Sequence, residues 1–252
     1  MMTALVRSMI FPASQVPFPA PVPGEGWTVV RYETADRLHL AGAFVPPPSP
    51  DRPVLLYFHG NAEAAAQNLR LAESLRARGL GVFLAEFRGY GGLAGSSSEK
   101  GLYADGEAAL AELGRLGIPP SRVVLVGRSL GSGVAVELAT RRRVAAVVLV
   151  SAYTSIVDMG RTIAGPLAPL VIRDCFDSIS KIARVSSPVA LLHGIRDDVV
   201  PVEMGRRLAA ARPGARWVEV PEATHNGFPG LADLLAREIE SLLTAPLSST
   251  RP

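Results

Sequence analysis

The sequence predicts a single α/β domain built on a mostly parallel, eight-stranded sheet with helices on both faces. The first observation behind this prediction is that short, continuous apolar runs alternate with helical segments through most of the chain. Continuous apolar strands are typical of a sheet that is covered on both sides. The second is size, because 252 residues, 48% of them hydrophobic, can bury the core of one large domain or two small ones. We assign residues 27–243 to one domain.

The chain begins with a segment of different composition. Residues 1–26 include five prolines between Pro12 and Pro23, and they are predicted to form an extended, proline-rich arm. Two predicted strands follow, "WTVVRYE" and "LHLAGAFV", joined by the turn-forming residues "TADR". The loop "PPPSPDRP" then leads into the alternating region.

Six more strands and five helices are predicted from the alternation. In chain order the strands are "VLLYF", "LGVFLAE", "RVVLVG", "VAAVVLVS", "PVALLHG" and "RWVEV". The helices span residues 64–78, 99–116, 131–141, 201–212 and 230–243. Right-handed crossovers then place helices on both faces of the sheet. Residues 152–187 interrupt the alternation and predict a short lid, and residues 244–252 predict a flexible tail.

Composition and charge argue against several classes of protein. The net charge is +3 and the longest basic run covers only residues 141–143, so we expect no nucleic-acid partner. No apolar run approaches the roughly 20 residues of a membrane span, and the N-terminus lacks the long apolar core of a secretory signal. An interfacial N-terminal segment is the alternative. The single cysteine, Cys175, excludes an internal disulfide and is compatible with a reducing compartment, so we expect a cytoplasmic protein.

The stretch "VVLVGRSLGSG", residues 123–133, contains a candidate nucleophile. Ser129 follows a predicted strand and precedes a predicted helix, with Gly127 and Gly131 on either side. In that context the serine hydroxyl stands clear of the sheet, and the glycines remove side chains that would collide where strand and helix close on each other. The alternative is a glycine-rich turn of the phosphate-binding kind. We expect Ser129 at the carboxyl edge of the sheet, where parallel sheets bind their ligands.

A serine nucleophile needs a base and an acid, and two loops late in the chain offer them. His225 lies in "PEATHNGF", between the last strand and the last helix, and is the expected base. His59 and His193 end strands in "HG" pairs and are expected to orient backbone by hydrogen bonding. The acid is expected in "HGIRDDVVP", where Asp197 and Asp198 are adjacent and one of the two would serve.

The negative oxygen of a tetrahedral intermediate also needs fixed donors. The backbone N–H of Leu130, just past Ser129, is one expected donor, and the N–H of Asn61 in "HGNAE" is the other. The alternative for "HGN" is an ordinary strand-to-helix turn.

Several stretches together carry a family resemblance: "HGNAE", "FRGYGG", "SEKGLYAD", "IPPSRVVLVGRSLGSG", "YTSIVDM", "FDSISKIARVSSP", "HGIRDDVVP" and "THN". On these the chain resembles the α/β-hydrolase fold over residues 27–243. More narrowly, it resembles the small serine hydrolases that include the eukaryotic protein depalmitoylases and their bacterial relatives. The resemblance implies Ser129 as nucleophile, Asp197 as acid and His225 as base. Glu86 stands where the family usually has aspartate.

These residues predict a serine hydrolase that cleaves small-molecule acyl esters or thioesters through an acyl-enzyme. We expect neither metal nor cofactor, because no histidine or cysteine cluster has metal-site spacing and no nucleotide-binding glycine motif is complete. The apolar, proline-broken run 163–172 of the lid predicts a small slot and hence short to medium acyl chains. Two alternatives stay open. One is an aminopeptidase or amidase in which Glu63 or Asp158 anchors the substrate amine, and the other is a non-catalytic binding module.

Overall fold

The computed structural model describes residues 10–11 and 26–244. Most of the predicted proline-rich arm, and the predicted tail beyond Thr244, lie outside the described residues. None of the helices within the described ranges combines the length and the apolar character that a bilayer crossing requires.

The sheet is built from eight strands: β1 (Thr28–Glu33), β2 (His39–Val45), β3 (Val54–Phe58), β4 (Gly81–Ala85), β5 (Val123–Arg128), β6 (Ala146–Val150), β7 (Val189–Gly194) and β8 (Arg216–Val220). Their order across the sheet is β1-β2-β4-β3-β5-β6-β7-β8. β2 pairs antiparallel with β1 and β4, and β3 to β8 all run parallel. This confirms the predicted mostly parallel, eight-stranded α/β fold.

Between residues 26 and 244 the helices are α1 (Leu69–Arg76), α2 (Glu99–Arg115), α3 (Leu130–Arg141), α4 (Ile156–Ala164), α5 (Ala168–Val171), α6 (Val202–Ala211) and α7 (Leu231–Thr244). The helix predicted over 64–78 is shorter, because its first turn, Ala65–Asn68, is a 3-10 helix. The N–H of Ala65, which opens that turn and has no acceptor within the helix, is hydrogen-bonded to the Glu86 carboxylate at 2.9 Å. Tight turns of this kind are frequent at helix starts.

Two hydrophobic layers explain why the strands read as continuous apolar runs. Alternate residues of one strand point to opposite faces of the sheet. In β3, Leu56 and Phe58 belong to one core cluster, which also contains the buried faces of α2 and α3. Leu55 and Tyr57 belong to the other cluster, with residues of α1 and α7. Both faces are therefore apolar in each central strand.

The register of the sheet brings the ends of the parallel strands to one level. Phe58 at the end of β3 lies opposite Gly127 of β5, and Gly194 at the end of β7 lies opposite Val220 of β8. The loops that follow β3, β5, β7 and β8 therefore leave from the same edge. Those four loops, together with Leu130 at the start of α3, carry the expected nucleophile, base, acid and oxyanion donors.

The segment predicted as a lid, residues 152–187, contains α4 and α5 with a 3-10 turn between them. In its apolar run, Ala168 and Ile172 are buried. Leu167 and Leu170 face outward, with 61% and 77% of their surface exposed. These two leucines do not line a slot, so only part of the run can contribute to one.

Candidate active site

The turn between β5 and α3 holds Ser129 in an unusual backbone conformation. Its φ is +49° and its ψ is −118°, a region that residues with a side chain rarely adopt. The turn is tight because the start of α3 lies directly on the end of β3. A Cβ atom on Gly131 would collide with the carbonyl oxygen of Phe58, and one on Gly127 would lie 2.6 Å from Cα of Ser132. The two glycines are thus required for the turn that presents Ser129.

The structure brings Ser129, His225 and Asp197 into one hydrogen-bonded chain. Nε2 of His225 lies 3.1 Å from Oγ of Ser129, and its Nδ1 lies 3.0 Å from each carboxylate oxygen of Asp197. A carboxylate can only accept, so Nδ1 carries the proton and Nε2 is left to accept from the serine hydroxyl. All three are nearly enclosed: Ser129 is 8% exposed, His225 is 7% exposed, and the Asp197 side chain is fully buried.

Asp197 is fixed by the backbone of its own loop. Its Oδ1 accepts the N–H groups of Val199 and Val200 at 3.0 and 2.8 Å. Burial by itself would raise the pKa of the Asp197 carboxyl, but the hydrogen bonds from His225 and Val200 outweigh it and lower the pKa to about 2. Asp198 is exposed. Of the two adjacent aspartates, Asp197 is therefore the one beside the histidine.

His193, in β7, is hydrogen-bonded to the same loop. Its Nε2 donates to the carbonyl of Val200 at 2.9 Å and lies 3.5 Å from Asp197. Burial lowers the pKa of His193, which keeps the ring neutral. This histidine orients backbone, the position expected for it from the sequence.

The two expected oxyanion donors lie on adjoining turns. Gly131, the residue after Leu130, donates its N–H to the carbonyl of His59 at 3.2 Å, which holds the start of α3 against the "HGN" turn. The side chain of Asn61 is fixed on both sides, since it donates to the carbonyl of Ile10 at 2.5 Å and accepts from the Tyr90 hydroxyl at 2.7 Å. Within residues 10–11 and 26–244, no acceptor is bonded to the backbone N–H of Asn61 or Leu130.

A buried pair stabilises the "HGN" turn from the core side. Nδ1 of His59 donates to the carbonyl of Gly60 at 2.8 Å, and its Nε2 lies 2.7 Å from the Glu86 carboxylate. Glu86 also accepts the N–H groups of Ala65 and Phe87 at 2.9 and 3.1 Å. The longer side chain at position 86 thereby connects the turns that follow β3 and β4.

The two carboxylates expected as possible anchors for a substrate amine have other partners. Glu63 forms an ion pair with Arg128 and accepts the N–H of Gly60 at 3.1 Å. Asp158 accepts from Thr154 and Arg161, each at 2.6 Å. In the part of the chain that the structure describes, no group of three or more His, Cys, Asp or Glu side chains is arranged to hold a metal ion.

Arg128 is the residue of this region that sequence reasoning missed. It ends β5, is 9% exposed, and contacts both the Glu63 turn and the carbonyl of His225 at 2.6 Å. The available signal was a cation directly after the apolar run "VVLVG", at a position that a parallel sheet buries.

Comparison with known proteins gives a consistent set of relatives. A family model described as serine aminopeptidase, S33, matches residues 49–179. An uncharacterized protein of Mycobacterium tuberculosis is 41% identical over 233 residues, which cover 90% of this chain and 82% of that protein. The alpha/beta hydrolase domain-containing protein 17C of Xenopus laevis is 36% identical over 215 residues, covering 83% of this chain and 67% of that protein.

Solved structures share the same fold. The esterase Pf2001 of Pyrococcus furiosus aligns with a TM-score of 0.70 at 18% identity, over 90% of this chain and 99% of that one. An alpha-beta hydrolase from Vibrio vulnificus aligns with a TM-score of 0.72 at 22% identity, over 86% of this chain and 81% of that one.

Proposed function

The chain belongs to the α/β-hydrolase family and is a hydrolase, and on that basis we propose that it cleaves acyl esters or thioesters with Ser129 as nucleophile. One observation carries the proposal: the continuous hydrogen-bonded chain from Ser129 Oγ through His225 to the buried Asp197 carboxylate. A serine hydroxyl becomes an effective nucleophile when an oriented base takes its proton.

In the proposed reaction Ser129 Oγ bonds to the acyl carbon while its proton moves to Nε2 of His225. The imidazolium that forms is stabilised by Asp197, whose low pKa keeps it ionised. The carbonyl oxygen becomes negative and accepts the N–H groups of Leu130 and Asn61, each donor lowering the barrier by about 3 kcal/mol. The carbon–oxygen or carbon–sulfur bond then breaks, and the leaving group takes the proton from Nε2. Water repeats the sequence and releases the acid.

Amide or peptide hydrolysis is the second candidate, because the matching family model is described as a serine aminopeptidase. An aminopeptidase needs an anionic group to bind the substrate's amine. Glu63 and Asp158, the two carboxylates that sequence reasoning offered for this task, are already paired with arginines. This favours ester and thioester substrates.

We also propose a preference for short to medium acyl chains. Within the lid run Ala168 and Ile172 are buried, while Leu167 and Leu170 face outward. Each buried CH₂ contributes about 0.8 kcal/mol, so affinity grows with chain length only as far as an apolar wall extends.

The test is a kcat/KM series over p-nitrophenyl esters from acetate to palmitate, with matched acyl thioesters and amino-acid anilides. Ester and thioester efficiency should rise over the first several carbons and then fall, with anilides far slower. A kcat/KM that rises steadily to palmitate would overturn the proposal of a small slot. Anilides that are cleaved faster than the esters would favour the aminopeptidase.

A further inference from the structure

We propose that Arg128 is a positioning residue that connects the nucleophile turn to both of the loops with which Ser129 must cooperate. The inference rests on the proposed function of Ser129. Arg128 immediately precedes Ser129 and is 9% exposed. A buried guanidinium requires partners for its charge and its N–H groups, and those partners come from two other loops.

The first set of contacts reaches the loop that carries the base. Nη2 of Arg128 donates to the backbone carbonyl of His225 at 2.6 Å and to Oδ1 of Asn226 at 3.1 Å. The carbonyl belongs to the same residue whose ring contacts Ser129 at 3.1 Å. The backbone of His225 is thus fixed relative to the residue next to the nucleophile.

The second set of contacts reaches the turn that carries the oxyanion donor. Nη1 of Arg128 forms an ion pair with one carboxylate oxygen of Glu63. The other oxygen of Glu63 accepts the N–H of Gly60 at 3.1 Å and lies 3.4 Å from the amide nitrogen of Asn68. Gly60 directly precedes Asn61, so the position of the Asn61 N–H depends on the same ion pair.

The geometry of the side chain explains why arginine occupies this position. A guanidinium offers donors in a rigid, planar fork and can bind in two directions at once, whereas a lysine ammonium is a single point of charge on a flexible stem. Glu63 balances the positive charge next to a histidine that becomes cationic during the reaction. Displacing a catalytic group by about 1 Å can cost on the order of 100-fold in rate. Arg128 therefore acts on catalysis through the loops it holds and does not itself touch the substrate.

The test compares Arg128→Gln, Glu63→Gln and the double variant in full-length protein with a fluorophosphonate probe and a p-nitrophenyl ester. The end point of labelling counts folded, competent enzyme, and the labelling rate reports how well Ser129 is activated. In R128Q we expect kcat per labelled site and the labelling rate to fall about 10- to 100-fold. E63Q should fall less, and the double variant should match R128Q, because the two residues act as one unit. R128K should recover only part of the loss.

Arg88→Gln is the matched control. Arg88 is 7% exposed and forms ion pairs with Asp36 and Asp105. These partners lie on the β1–β2 turn and on α2, not on the loops that Arg128 contacts. R88Q should lower the Tm but leave kcat per labelled site within about twofold of wild type. A purely structural role for Arg128 would give the same pattern in R128Q, and that result would overturn the inference.

Three further outcomes separate failure of this inference from failure of the proposed function. If R128Q does not fold, Glu63→Gln and Asn226→Ala test the two sets of contacts separately, and unchanged kcat per labelled site in both would overturn the inference. A wild-type protein that shows neither turnover nor Ser129-dependent labelling would refute the proposed function itself. An active wild type with an equally active R128Q would refute the role of Arg128 alone.

Discussion

Replacing Asp197 by asparagine should lower kcat by about 10⁴ through a change of tautomer in His225. Both carboxylate oxygens of Asp197 lie 3.0 Å from Nδ1 of His225, and Oδ2 also lies 3.5 Å from Nε2 of His193. Oδ1 alone accepts the backbone N–H groups of Val199 and Val200. The amide oxygen of the asparagine must therefore take the Oδ1 position, and its NH₂ group then points at Nδ1 of His225. A proton on Nδ1 would oppose that NH₂ group, so we expect the ring proton to move to Nε2, where it prevents His225 from accepting the proton of Ser129.

The same substitution should lower stability by a smaller amount. The pKa of Asp197 is lowered from its ordinary 3.8 to about 2, which corresponds to about 2 kcal/mol at neutral pH. For a domain of this size we expect the Tm to fall by about 5 °C. The folded fraction at 25 °C stays near one, so the loss of activity cannot be explained by unfolding.

The assay is hydrolysis of p-nitrophenyl butyrate at pH 7.5, with circular dichroism melting of the same samples. Asp198→Asn is the control, because that neighbouring carboxylate is exposed. D198N should keep kcat within about threefold of wild type, as surface substitutions have small effects. A D197N variant with more than a tenth of wild-type kcat would refute the tautomer argument. If D198N loses activity and D197N keeps it, Asp198 is the acid and the assignment to Asp197 is wrong.

Three other outcomes are expected. Ser129→Ala should abolish turnover and fluorophosphonate labelling without lowering the Tm, and labelling that survives would reveal another nucleophile. Acid titration should show that the free energy of unfolding contributed by Asp197 is complete above about pH 4 and is lost as the pH falls toward 2, because the folded pKa lies below the unfolded one. D197N should lack that component in acid unfolding curves. Gly131→Ala should cost about 1–3 kcal/mol in urea unfolding, since the new Cβ meets the Phe58 carbonyl. Gly114→Ala, in open space on α2, should be neutral or stabilising by up to about 1 kcal/mol.

The sequence was sufficient to predict the strands, because burial on both faces leaves a simple pattern of continuous apolar residues. It was also sufficient to place Ser129 and His225 on loops at one edge, since a parallel sheet brings its carboxyl ends together. The choice between Asp197 and Asp198 came from the family resemblance. The side chains of neighbouring loop residues point in different directions, which depend on the turn that the loop forms. Here the turn is set by Asp197, which accepts the N–H of Val199.

Side-chain partners far apart in the chain were beyond the reach of the sequence. The sequence offers Glu63 as a possible anchor for a substrate amine, because it is an acid near the end of a strand. Only the fold shows that its carboxylate forms an ion pair with Arg128. The lid run was equally ambiguous. Its apolar character predicts burial, yet Leu167, at the end of a 3-10 turn, and Leu170, in the four-residue helix α5, are exposed. Such short helical turns can direct only one side inward.

The position of β8 has a consequence for how the enzyme loses activity. β8 lies at the end of the strand order and pairs with β7 alone, whereas β5, which leads to Ser129, is central. The loop after β8 carries His225. Stability is not uniform across a fold, and an edge strand can detach in a local unfolding step while the interior strands stay paired. Detachment of β8 would displace His225, the proposed base, and leave the turn that carries Ser129 intact. On heating, turnover should therefore be lost at a lower temperature than the circular dichroism signal. Between those two temperatures β8 would be detached while the rest of the molecule remains folded.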